Sequence, residues 1–163
     1  MPYQELSDYI NELSSRELLH VIDEPVCKDT ELVPLVRLQF RGLNEEQRKA
    51  FWFRNVTDQR GREFDSSVIL GSLGCSRAVY GAALGVQADE IAAKWTRVHG
   101  NPEEIRLIEY DQAPVKEVVV KSPDLGSGVD RFPHLISTPG FDPAPYITAG
   151  VWITRDPETR IYN

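Results

Sequence analysis

Leu6, Tyr9, Ile10 and Leu13 fall at i, i+3, i+4 and i+7, one apolar stripe that predicts a short helix. The branched run LLHVI (18–22) follows and stops at Asp23-Glu24-Pro25, as a strand closed by proline does. Asp29 and Thr30 offer caps for a second helix carrying Leu32, Leu35, Val36 and Leu38. Pro34 fits that helix only if it lies in the first turn, where its missing N–H costs nothing. NEEQRK (44–49) is a solvated charge run. AFWFRNV (50–56) predicts a strand, DQRGRE (58–63) a turn, and SVILGSLG (67–74) a second strand running into glycine-flanked turn residues. Ser76 then caps a helix with Val79, Ala82, Ala83 and Leu84 that ends at Gly85. A further helix holds Ile91, Ala92 and Trp95.

His99-Gly100-Asn101-Pro102 breaks the pattern, and a boundary between two units falls between there and Pro114. Beyond it, VKEVVV (115–120) predicts a strand and SPDLGSG (122–128) a loop. Prolines at 133, 139, 143 and 145 exclude regular structure from the stretch they punctuate. YITAGVWIT (146–154) predicts a strand, RDPET (155–159) a tight turn, and RIYN the start of a return strand. The pattern therefore mixes helices and strands over the first hundred residues and turns nearly all-β afterwards. A chain that stops just past a hairpin turn leaves strand donors and acceptors for something else to pair. That arrangement gives the expectation of self-association or a partner strand from Tyr146 onward.

Length and composition narrow the classes. At 163 residues, 41% of them hydrophobic, the chain can build one compact domain or one domain and part of a second. No run of about 18 apolar residues suggests a membrane span. MPYQELSDYI has neither the basic nor the apolar region of a secretory signal, which makes the cytoplasm the default expectation. Acidic residues outnumber basic ones 25 to 18, for a net charge of −7, and no basic cluster offsets them. Nucleic acid and anionic membranes are thereby set aside as partners. Cys27 and Cys75 form no CxxC pair and read as reduced thiols.

The residues by themselves hold no self-sufficient catalytic signature. GSLGCS (71–76) has the wrong glycine spacing for GxGxxG and reads as a strand-to-helix turn, although a helix N-terminus there could receive a phosphate. His20, His99 and His134 are scattered, and none has a second ligand at metal-binding spacing. His20 reads as a structural histidine, while His134 stands in the proline-rich loop, where function is more at home. Trp52 and Trp152 read as core or interface residues of their strands. Asp156 and Glu158 flank a turn proline and read as a solvated turn rather than an acid pair. Read on residues alone, this is a mixed α/β protein with a partial β unit.

The order of local patterns carries more. LSDYINELSSRELLHVIDEPV (6–26) resembles the opening of UbiD-type decarboxylases, and TELVPLVRLQ (30–39) the acidic helix that follows there. AFWFRNV is similar to that family's ALLFENV strand, and VILGSLGCSR (68–77) to its V-L-G-N-L-x-x-S-R. AALG (82–85) resembles the family's helix end, and APVKEVVV (113–120) its APVQEVV strand. PYITAGVWITRDPETRIYN (145–163) resembles PYIT-x-G-x-x-I-T-x-DPETG-x-x-N in spacing and identity, the most specific of these matches.

The resemblance implies an α/β (α+β) fold: an N-terminal mixed α/β domain over 1–110, then the first strands of a flavin-binding split β-barrel over 111–163. It implies prenylated FMN as cofactor, its phosphate held with a divalent metal (Mn or Mg) and K+. Asn163 falls on the family's metal-binding asparagine, and Thr148 on a threonine beside the cofactor. An amide oxygen suits such a hard cation. The implied substrate is a small aromatic or α,β-unsaturated carboxylic acid, decarboxylated in a homo-oligomeric parent protein. The family's catalytic arginine and two glutamates lie beyond position 163, so no residue here is assigned a catalytic role. Arg160 departs from the family pattern, standing where a glycine is usual. Three readings follow: the N-terminal portion of a decarboxylase, inactive alone; a partial subunit completed by a partner chain; or a non-catalytic module that binds flavin or protein.

Overall fold

The computed structural model describes residue 3 and residues 5–101, 107–121, 126 and 128–162. Helices α1 (Leu6–Ser15), α2 (Leu32–Gly42), α3 (Arg77–Leu84) and α4 (Ile91–Gly100) stand where periodicity places them. Strands β1 (Leu19–Ile22), β2 (Val26–Cys27), β3 (Ala50–Phe53), β4 (Val56–Thr57), β5 (Glu63–Phe64) and β6 (Val68–Leu70) form two three-stranded mixed sheets. In the first, β1 runs parallel to β3 and β6 antiparallel to it. In the second, β2 is parallel to β4 and β5 antiparallel to it.

The second sheet continues the first across a bend. AFWFRNV divides at Arg54-Asn55 into β3 and β4, just as the preceding strand divides at Asp23–Pro25. Hydrogen bonds bridge both breaks: Arg54 N donates to the Ile22 carbonyl at 3.0 Å and Val26 N to that of Asn55 at 3.0 Å. The Asn55 side-chain amide donates to the Asp23 carbonyl at 2.6 Å.

Alternation along β3 sends its residues to opposite faces. Phe51 and Phe53 meet Leu32 and Val36 of α2, with Val26, Val56 and Phe64 completing that cluster. Ala50 meets Tyr9 and Leu13 of α1 and Val79 and Ala82 of α3. A central sheet with helices on both faces results. Pro34 occupies the first turn of α2, as its lost N–H requires. The N-cap is Glu31 rather than Asp29 or Thr30, and the Glu31 carboxylate instead receives the Cys27 N–H at 2.7 Å. Asp29 pairs with the nearly buried Lys28. Ser76 caps α3 by accepting from Val79 N, and Gly85 ends it at φ 66°, a left-handed position natural to glycine.

The later chain departs from expectation. VKEVVV holds a 3-10 turn at Pro114–Lys116 and no strand, with Val115 and Val118 almost fully exposed. YITAGVWIT is not a strand either, and Trp152 is 79% exposed rather than core. Two isolated bridges stand there, Leu135 with Tyr146 and Arg155 with Tyr162. A strand keeps its geometry only when neighbours take its N–H and C=O groups, and no described strand lies alongside these runs. No helix among the described residues is long and apolar enough to cross a membrane.

Candidate functional site

A cleft of about 350 Å³ opens where β6 turns into α3, lined by Glu45, Arg48, Leu73, Cys75, Arg77 and Tyr80, among others. Its chemistry is already spent on structure. The Arg77 backbone N–H, a free donor of the α3 N-terminus, is taken by Glu45 Oε1 at 2.8 Å. The Arg77 guanidinium donates to the same oxygen at 3.1 Å. These bonds hold the Glu45 carboxyl below its ordinary range, the backbone bond contributing most. Ser76 Oγ takes a second terminal donor, Val79 N, at 3.3 Å. The phosphate seat considered from the sequence is therefore filled by the protein's own carboxylate. Glu45, read from sequence as part of a solvated charge run, is the residue that does this.

Cys75 stands at the cleft floor but is buried, and burial pushes its thiol pKa up, against a role as nucleophile. Tyr9 reaches the same turn from α1. Its hydroxyl is shared between the carbonyls of Ser72 and Val79, and burial pushes its pKa up as well. Tyr3 donates to the Ala82 carbonyl at 2.7 Å. Tyr9 thus fastens α1 to the GSLGCS turn and to α3, and Tyr3, ahead of α1, adds a further tie to α3.

The histidines do not converge. His20 is exposed on β1 with its ring 5.1 Å from that of Phe51, and its pKa is lowered by partial burial and then by Lys49. His99 stacks on Trp95 at 5.6 Å, and His134 tilts against Phe132 at 6.4 Å. Cys27 is half-buried on β2. No group of three or more His, Cys, Asp or Glu among the described residues is arranged to hold a metal ion.

Thr148 lies exposed in a turn, two residues beyond the Leu135–Tyr146 bridge. The turn is close-knit at Gly150, where a Cβ would come within 3.4 Å of both Ile147 Cγ2 and Trp152 Nε1. Asn163 lies outside the described residues. Between them the DPET turn forms as expected. Asp156 N donates to the Ile161 carbonyl at 2.9 Å, and Arg160 N to that of Asp156 at 3.0 Å. Asp156 Oδ1 receives Glu158 N at 2.9 Å and Thr159 N at 2.6 Å, which lowers its pKa. This carboxylate organises the turn and is not left to a metal. Arg160 takes φ 64°, the left-handed conformation that the glycine usual at this place would adopt without strain. Thr148 is thus open to a ligand, whereas the remaining oxygen donors a hard cation needs are not gathered among the described residues.

No protein-family model and no curated protein sequence matches the chain. Solved structures do, among them two of one UbiD-class enzyme. One is an evolved dimeric form of the UbiD-class enzyme HmfF from Pelotomaculum thermopropionicum in complex with prFMN, at TM-score 0.77 and 25% identity over 99% of this chain. The other is HmfF from the same organism in complex with FMN, at TM-score 0.75 and 24% identity over 97% of this chain. This chain spans about a third of the length of those structures, 34% and 32% respectively. Its mixed α/β fold therefore resembles an N-terminal portion of the UbiD class, as the motif order implies.

Proposed function

We propose that this chain is the N-terminal portion of a prenylated-flavin-dependent, non-oxidative (de)carboxylase acting on an aromatic or α,β-unsaturated carboxylic acid. One observation carries the reading: the fold matches a UbiD-class enzyme over 99% of this chain while the PYIT and DPET motifs keep their order and spacing. Its extent is residues 1–110 as an α/β domain and 111–163 as the opening of a split β-barrel, in a cytoplasmic homo-oligomer.

Thr148 is assigned a place beside the flavin, and Asn163 is assigned to the cofactor and the divalent metal (Mn or Mg) that holds its phosphate together with K+. When bound, the prenylated flavin supplies the electron sink for carboxylate loss, as a cofactor does where a protein lacks the chemistry itself. This chain contributes binding and orientation. Thr148 offers a hydroxyl at an open turn. The α/β unit supports it and forms one wall of the cleft. No residue of the chain falls on a catalytic position of the family, so the chain alone is assigned no decarboxylation.

A second reading, a partial subunit completed by a separate polypeptide, draws on the exposure of Val151 (87%) and Trp152 (79%). Intact mass and visible absorbance of the natively purified protein separate the two. A mass well above 18.5 kDa with a flavin band supports the first. A mass of this chain with a stoichiometric partner supports the second. Neither flavin nor carbon dioxide release in either form would overturn both.

A further inference from the structure

Almost every apolar side chain described beyond residue 106 is exposed, from Leu107 at 91% to Tyr162 at 61%. Leu135 is the contrary case. It is only 6% exposed and belongs to the α/β cluster of Val26, Leu32, Val36, Phe53, Val56 and Phe64. Its neighbour Pro133 is buried too. Two residues further on, a second contact joins the same loop to the same helix. The Arg37 guanidinium of α2 donates to Ser137 Oγ and Thr138 Oγ1, each at 3.2 Å. The loop is closed on itself between these points and the next bridge: Thr138 N donates to Asp142 Oδ2 at 2.6 Å, and Phe141 N to the Thr138 carbonyl at 3.0 Å. It then returns to Leu135, whose carbonyl accepts Tyr146 N at 3.1 Å.

We infer that Leu135 and Arg37 are positioning residues: a buried plug and a surface clamp that together fix the Tyr146–Thr148 segment on the α/β core. The plug supplies the free energy. A leucine sunk among six apolar residues resists withdrawal, because withdrawal leaves a cavity and exposes the side chain. The clamp supplies direction, since a planar guanidinium bonded to two hydroxyls fixes the loop's orientation on α2. Because Leu135 pairs directly with Tyr146, a shift of the plug is passed on to Thr148 within two residues. That the segment so placed faces a flavin rests on the functional reading above; that it is placed by this anchor does not.

Residue-resolved amide exchange on the chain tests the anchor, with Tyr146 read against the amides of β3. Leu135→Ala is expected to raise exchange at Tyr146 by about tenfold relative to β3, and Arg37→Ala by about threefold. Leu135→Met, which refills the pocket, is expected to restore protection. Val56→Ala, a cut in the same cluster made from within the sheet, is the control and is expected to leave the Tyr146-to-β3 ratio unchanged. The anchor is overturned if neither Leu135→Ala nor Arg37→Ala changes that ratio, or if Val56→Ala changes it as much. Should Leu135→Ala not fold, Arg37→Ala at the surface decides alone. In flavin titrations of the parent protein, undiminished affinity in variants that free Tyr146 would count against the flavin reading and leave the anchor standing.

Discussion

At Arg160, as at Glu17, local conformation and side-chain type disagree. The Arg160 φ of 64° suits glycine, and a non-glycine residue there costs on the order of 1 kcal/mol. Arg160→Gly is expected to tighten the hairpin and slow exchange of the Asp156 amide about fivefold, read by NMR. Faster exchange would mean that the arginine side chain contributes more than its backbone costs. Glu45 offers a second test. Its folded pKa lies below the ordinary 4.5, so its ionised form adds stability at neutral pH. That contribution is present above about 4.5 and is lost as pH falls through the lower, folded value. Glu45→Gln is expected to lower the urea midpoint at neutral pH and to flatten its decline below pH 4.5. An acid limb of unchanged slope would assign that decline to other carboxylates, such as Asp58 and Asp156, whose pKa values are also lowered.

At the scale of elements, helix α3 sets intrinsic propensity against packing. Propensity alone favours Ala over Gly inside a helix by about 1 kcal/mol. A Cβ on Gly81, however, would stand 2.8 Å from the Val86 carbonyl oxygen and 3.3 Å from Ala88 N. The chain folds back across this glycine directly after Gly85, with Val86 N bonded to the Gly81 carbonyl at 2.9 Å. Gly81→Ala is therefore expected to destabilise by roughly 1–3 kcal/mol in urea unfolding; a gain would show that the backbone yields. On α1, Leu13 is fully buried between the sheet and α3. Leu13→Ala is expected to cost roughly 2–5 kcal/mol by the same measurement, since the surrounding elements close only partly around the cavity. A cost under about 1 kcal/mol would mean that α1 packs loosely.

For the whole molecule, burial is uneven. The two clusters hold the first hundred residues and admit Leu135, while Val151, Trp152 and Ile153 stand 76–87% exposed in sequence. Contiguous apolar surface of that kind marks a contact still to be made. Light scattering is expected to show concentration-dependent association of this chain, and Val151→Lys with Trp152→Lys to reduce it. A strictly monomeric chain at high concentration would show that these side chains need no cover.

The sequence by itself determined the elements whose information is local. A 3.6-residue apolar period placed α1 and α2, Ser76 and Gly85 bounded α3, and the DPET residues made their turn chiefly through Asp156. The mixed α/β class and the likeness to UbiD-type enzymes were legible for the same reason, because each motif records a local geometry in chain order. Only the tertiary structure decided what depends on a partner far away in sequence. It split AFWFRNV at Arg54-Asn55 to serve two sheets, and it turned Glu45 from a solvated charge into the acceptor for the first N–H of α3. Leu135 was drawn from a proline-rich loop into the core, which no local period could signal. VKEVVV and YITAGVWIT, for all their β-branched residues, were left without strand geometry. A helix closes its hydrogen bonds within its own segment, whereas a strand has none until another strand lies beside it.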